Sequence, residues 1–238
     1  MALLEVNGLS AGYGSLPVLQ DLSFEIEEGE TAVLLGLNGA GKTTTVITLA
    51  GLLKPWGGSI TLDGKNTTKM DTRKLVAEGV VLVPEGRHVF PQLTVAQNLR
   101  LGAWPYRHDR KGNKESIERA VEYFPRLKER WAQLAGTLSG GEQQMLAIAR
   151  GLMGRPKLLL IDEASLGLSP VLTQTVFEVV KRINEDGVTV FMVEQNAGVL
   201  AIADKAFVME KGRLIYEGAG DEIMDHSEIR QAYLGSPS

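Results

Sequence analysis

Residues 36–44 read Gly-Leu-Asn-Gly-Ala-Gly-Lys-Thr-Thr, and this stretch decides the fold. Gly36, Gly41, Lys42 and Thr43 fit G-x-x-x-x-G-K-[ST], the phosphate-binding loop. The apolar run at 31–35 precedes it and a helix-compatible segment at 44–50 follows, so the loop lies between a strand and a helix. Backbone N–H groups there can converge on a phosphate from the helix start. Asn38, Gly39, Ala40 and Thr44 complete the loop, and glycines keep side chains out of that approach. Lys42 is expected to bring a mobile positive charge to the terminal phosphates, and Thr43 a hydroxyl for Mg²⁺. The competing reading, a plain glycine-rich turn before a helix, does not account for the lysine and hydroxyl in register with both flanks.

The rest of the chain sets limits. Its 238 residues, 44% of them hydrophobic, suffice for one real core. A net charge of −4 offers no overall basic field for a duplex, so no nucleic acid is expected as partner. There is no cysteine, which removes disulfides and thiolate chemistry, and His88, His108 and His226 are scattered, which argues against a histidine metal cluster. No run approaches the ~18 apolar residues of a membrane span, and the start lacks a signal-peptide pattern. The expectation is a cytoplasmic chain, held at any membrane by another subunit.

Outward from the loop, residues 3–9 and 18–26 read as antiparallel strands. Further strands are expected at 31–36, 58–63, 80–83, 158–161, 188–193, 205–209 and 214–217, with a helix at 172–185 between two of them. Strands alternating with helices predict an α/β core with a mostly parallel sheet. Strand character fades from about 87 to 155, where helices are expected at 116–124 and 141–153 and a solvated loop at 107–114. The reading is a single domain over 1–238 with a helical subdomain, about 87–155, inserted in the core.

Two further stretches carry chemistry. Residues 158–170 read LLLIDEASLGLSP, an apolar strand ending in Asp162 and Glu163. Parallel strands present ligands at their carboxyl ends, so Asp162 is placed to hold Mg²⁺ and Glu163 to orient or deprotonate the attacking water. Residues 138–144 read LSGGEQQ before a helical run. Ser139 and Glu142 form a capping-box pattern, which alone predicts only a helix start. Gly140 and Gly141 are expected to leave that start uncovered, so that its N–H groups and the Ser139 hydroxyl can bind a second anion.

Together these residues resemble the ATP-binding-cassette (ABC) family, whose motif order spans nearly the whole chain. GLNGAGKTT is similar to its Walker A loop, LLLID to Walker B, Glu163 to its catalytic glutamate, and LSGGEQ to its signature. Tyr13, in AGYG, looks like the aromatic that stacks on adenine. The resemblance implies the P-loop NTPase fold of ABC ATPases: a RecA-like, mostly parallel core, an N-terminal antiparallel sub-sheet and an α-helical subdomain. It implies ATP with Mg²⁺, and two subunits facing head to tail. Each ATP is then held between one chain's Walker A loop and the partner's Ser139, Gly140, Gly141, Glu142 and Gln143 equivalents. Transmembrane permease subunits, and indirectly a substrate-binding protein, are the implied partners, which puts the chain on the cytoplasmic face of the membrane.

VLVPEGRHVFPQLTVAQNL, DEASLGLSP, VEQNA and the ending AYLG are similar to the LivF-type ATPases of branched-chain amino-acid importers. The resemblance implies pairing with a related ATPase, hence a heterodimer. Three positions depart from the general ABC pattern. Glu85 stands where a glutamine usually reaches toward Mg²⁺, Gln195 where a histidine usually contacts the γ-phosphate, and Ala164 where a proline usually follows the catalytic glutamate. Gln195 can still donate a hydrogen bond but cannot become cationic, so slower hydrolysis is expected. Glu85 would be repelled by phosphates unless Mg²⁺ or a basic group compensates. Rival readings are urea or amide import, lipid or lipopolysaccharide export, and an ATP-gated module that barely hydrolyses. Nucleic-acid ABC ATPases need long coiled coils, for which the interval from Lys42 to Ser139 is too short. No N-K-x-D segment supports guanine recognition.

Overall fold

Alternation of large apolar side chains builds the first layer. In the computed structural model, which describes residues 1–225, β1 (Ala2–Tyr13) and β2 (Leu16–Glu27) form a long antiparallel pair turning at Gly14 and Ser15. In the second layer, β3 (Thr31–Gly36) is a continuous run buried on both faces, and it leads through residues 37–41 into α1 (Lys42–Leu49). β4 (Gly57–Leu62) and β5 (Lys65–Asn66) complete the antiparallel sheet in the order β2-β1-β4-β5. A short α2 (Thr72–Ala77), capped by the Asp71 carboxylate, delivers β6 (Val80–Val83).

Helices follow: α3 (Val95–Gly102), α4 (Arg110–Tyr123), α5 (Pro125–Glu129) and α6 (Gly140–Leu152). The chain then alternates through β7 (Leu158–Asp162), α7 (Pro170–Glu185), β8 (Thr189–Glu194), β9 (Lys205–Glu210), β10 (Arg213–Ala219) and α8 (Gly220–Asp225). The second sheet runs β10-β9-β3-β8-β7-β6, parallel throughout except for the β10 edge.

Successive residues of β3 divide between two cores. Val33 and Leu35 join the cluster under the helical region, with Ile161, Met192 and Leu146. Ala32 and Leu34 join the cluster under the antiparallel sheet, with Val46, Phe191 and Phe207. Phe24 of β2 stacks 5.5 Å from Phe191 and lies 5.2 Å from Phe207, tying the two sheets together.

The solvated loop expected at 107–114 is corrected: α4 starts at Arg110. The Asp109 carboxylate accepts from the Gly112 amide, and Lys111–Glu115 and Lys114–Glu118 pair along the helix, so a wholly polar stretch is helical without an apolar stripe. Gly112 admits the Arg155 guanidinium, which a β-carbon would meet at 2.4 Å. The AYLG ending at 232–235 lies outside the described residues. No helix among the described residues is long and apolar enough to cross a membrane.

Candidate functional site

Strand order assembles the site. β3, β8, β7 and β6 are neighbours running in one direction, so their carboxyl ends share one edge. Gly36 closes β3, Asp162 closes β7, Gln195 follows β8, and Glu85 comes two residues after β6. Ligands bind beyond such ends in open parallel sheets. A cleft of about 370 Å³ opens there, lined by Asn38, Gly39, Gly41, Lys42, Thr43, Thr44, Glu85 and Glu163, with Val18 and Leu166.

The loop takes its shape from two left-handed glycines, Gly39 at φ +82° and Gly41 at φ +114°, the latter directly preceding α1. Gly36 is small for another reason: a β-carbon there would sit 2.9 Å from the Met209 carbonyl oxygen. Ala40 is buried beside it. Lys42 is not the mobile charge expected from sequence. Its side chain is 4% exposed, and its ammonium donates to the Gly36 carbonyl at 2.8 Å and the Leu37 carbonyl at 3.2 Å and pairs with Glu163 Oε1 at 2.9 Å. A buried cation requires such partners. Tyr13, half exposed at the end of β1, brings its hydroxyl 3.5 Å from Thr44 Oγ1, so its ring stands beside the first turn of α1.

Thr43 donates to Asp162 Oδ1 at 3.2 Å. Burial pushes the Asp162 carboxyl up to about 6; the Thr43 bond and Lys42 oppose this, and Glu85 and Glu163 add to it. Oxygen donors with surplus negative charge beside a phosphate loop suit a hard divalent cation, so Thr43 and Asp162 fit Mg²⁺. No three acidic or histidine side chains among the described residues converge to cage a metal. Glu85 sits exposed at the rim. Glu163 has φ +47°, a left-handed conformation rare for a non-glycine residue, and its amide donates to the Val193 carbonyl at 2.9 Å.

Gln195 is half-buried directly after β8, outside the lining of the cleft. Its neighbour Glu194, to which no role was assigned from sequence, is fully buried and accepts from the Ser165 amide at 3.0 Å and the Ser165 hydroxyl at 2.6 Å. A carboxylate closing the apolar run VFMV was the available signal. Burial raises the Glu194 carboxyl from 4.5 to about 7, against the pull of the Ser165 bonds. The folded chain therefore binds a proton there that the unfolded chain releases, and stability falls as pH rises from 4.5 through about 7. Glu194→Gln is expected to flatten that fall, checked by melting temperature against pH for both chains.

The second helix start stands apart. Ser139, Gly140, Gly141, Glu142 and Gln143 do not line the cleft. Ser139 is exposed and caps α6 in a complete capping box. Its amide and hydroxyl both donate to Glu142 Oε2 at 2.9 Å, and Glu142 also pairs with Arg130. The two glycines at this start also make room for side chains from elsewhere in the chain. A β-carbon on Gly140 would meet the Arg87 guanidinium at 2.8 Å, and one on Gly141 would meet Leu172 at 2.7 Å. The glycines admit those side chains. Gln143 turns its amide to the Ala135 and Leu138 carbonyls, at 3.2 and 3.3 Å, and pins the preceding loop.

Residues 19–166 match the family model described as ABC transporter. A high-affinity branched-chain amino acid transport ATP-binding protein, BraG of Pseudomonas aeruginosa, is 44% identical over 98% of this chain and 100% of its own. A probable branched-chain amino acid transport ATP-binding protein, LivF of Archaeoglobus fulgidus, is 32% identical over 98% of this chain and 99% of its own. Among solved structures, the dimeric bacterial ABC transporter cassette MJ0796 superposes with a TM-score of 0.80 at 24% identity, over 91% of this chain and 98% of that one. A phosphate loop, an acidic strand end and a remote capped glycine pair are thus found in a chain whose likeness to BraG runs end to end, and the chain belongs to the ABC transporter family as an ATP-binding subunit.

Proposed function

We propose that this chain hydrolyses ATP to drive an importer of branched-chain amino acids, from the cytoplasmic face of the membrane. The observation that carries the reading is the shared edge where four parallel strands bring together the phosphate loop, buried Asp162 and Glu163. The substrate class rests on the names of the relatives; the BraG likeness, at 44%, exceeds the 29% of the lipopolysaccharide-export relative LptB of Escherichia coli.

In this reading the chain is one cassette, with a helical subdomain between β6 and β7. ATP sets its adenine against Tyr13 and its phosphates on Gly36, Asn38, Gly39, Ala40, Gly41, Lys42, Thr43 and Thr44. Lys42 exchanges carbonyls and Glu163 for phosphate oxygens. Mg²⁺, when bound with Thr43, Asp162 and Glu85, supplies charge neutralisation at the phosphates. A second ATPase subunit, facing head to tail, closes the site with its Ser139–Gln143 equivalents; this is the outlet for the helix start that does not line the chain's own cleft. For that, Ser139 must release Glu142. Glu163, freed from Lys42, orients the water for in-line attack or takes its proton, and Gln195 donates to the γ-phosphate.

The permease contact is assigned to an apolar groove of about 650 Å³ between β6 and the helical region. Exposed Leu52, Phe90, Leu101 and Trp104 line it, together with Pro84, the residue before Glu85. Closure and opening of the subunit pair thereby reach the membrane subunits. The test is phosphate release, followed by leucine uptake into vesicles carrying the cognate membrane subunits. ATP-dependent leucine uptake supports the reading. Hydrolysis coupled to urea uptake or lipid export overturns the substrate, and absent hydrolysis overturns the enzyme.

A further inference from the structure

Glu163 depends on a turn that is costly to hold. Its left-handed backbone persists only where the surroundings over-determine it. Two bonds within the turn help: Leu166 donates to the Glu163 carbonyl at 3.2 Å, and Leu168 to the Ser165 carbonyl at 3.2 Å. Neither reaches outside it. Ala164 is fully buried, and it lacks the φ restraint a proline would give.

From outside, β8 holds it twice: the Val193 carbonyl accepts from the Glu163 amide at 2.9 Å, and further along the turn the anchor is Glu194. It ends β8, in register with Leu35 of β3, one residue from Gln195. Its carboxyl takes both polar groups of Ser165, the amide at 3.0 Å and the hydroxyl at 2.6 Å. Burying a carboxyl completely is unfavourable, and neutral side chains would fill the end of an apolar strand at lower cost. The hydrogen bonds of Glu194 go to Ser165, and it does not line the cleft. What it does is fix the residue two positions beyond Glu163 to the strand that carries Gln195.

We propose that Glu194 is a positioning residue for hydrolysis. Through Ser165 it holds the turn at 163–168, so that Glu163 and Gln195 move as one unit when ATP occupies the cleft. The inference rests on the ATPase reading above. Glu194 is fully buried and outside the cleft lining, so its loss acts on turnover and spares ATP affinity. Glutamine can replace it, because its carbonyl accepts from the Ser165 amide and its NH₂ can bond the hydroxyl oxygen.

The test measures kcat and MgATP affinity of the chain and of Glu194→Leu, Glu194→Gln and Ser165→Ala, with amide exchange at Ser165. Glu194→Leu is expected to lose about tenfold or more in kcat with affinity within about twofold, and to unprotect the Ser165 amide. Ser165→Ala, which keeps one of the two bonds, should lose about threefold, and Glu194→Gln should stay within about threefold of the parent. Should Glu194→Leu not fold, the alanine and glutamine variants decide alone. The inference is overturned if Ser165→Ala matches the parent, if Glu194→Gln is as slow as the leucine variant, or if affinity falls together with kcat. A parent chain without turnover, or unaffected by Glu163→Gln, would refute the ATPase reading itself, a different outcome from any of these.

Discussion

Glu163→Gln will bind MgATP and fail to hydrolyse it, with kcat down by at least about a hundredfold. The substitution keeps the size and one acceptor of the side chain while removing its basicity and charge. In this chain the charge also has a partner: Lys42 lies 2.9 Å from Glu163, and both are largely buried. The amide holds Lys42 less strongly, so the ammonium is more available to phosphate. Affinity for MgATP should therefore be equal to or tighter than in the parent, and ATP-loaded chains should accumulate as closed pairs. Phosphate release and sedimentation with ATP check both halves. Retained turnover would remove Glu163 from its role, and weakened ATP binding would contradict the exchange of Glu163 for phosphate at Lys42.

Lys42→Ala has the opposite signature: binding itself fails. A charge-assisted bond to phosphate contributes about 1.5–3 kcal/mol, or about 10- to 150-fold in affinity. The loss should reach the upper end, because Glu163 would then face the phosphates without its cation. Titration with a fluorescent ATP analogue measures it. Removing one partner of a buried pair also destabilises the fold, so Lys42→Met, which keeps the stem, serves as the companion variant. Unchanged affinity in a folded variant would contradict the phosphate loop's assignment.

How these residues were legible differs by cause. The Gly-Lys-Thr loop and the LLLID strand are local patterns, and the order of strands and helices around them yields an α/β core with the Lys42 and Asp162 segments at strand ends. The Lys42–Glu163 pair joins residues 121 positions apart in sequence and follows only from β3 and β7 flanking β8. Glu194 was hidden because a carboxylate after VFMV reads as the end of a strand, whereas its partner Ser165 comes from a loop after another strand. Gly140 and Gly141 were read as openings for an anion. Their smallness also admits Arg87 and Leu172, which come from segments distant in sequence and so were not legible there. The start of α4 escaped because its support is charge pairing and the Asp109 cap, with no apolar period to betray it.

The account depends on Lys42 and Ser139 serving the same ATP only from different chains, since Ser139 does not line the cleft that Lys42 does. Mixing settles this most directly. Lys42→Ala and Ser139→Ala chains, each unable to complete a site with itself, are combined in equal amounts where the parent pairs, and phosphate release is recorded. A mixed pair holds one intact site, built from the loop of the Ser139 variant and the capped helix of the Lys42 variant. The prediction is turnover well above the sum of the two variants measured separately. Turnover equal to that sum would mean that the two helix starts do not meet across subunits.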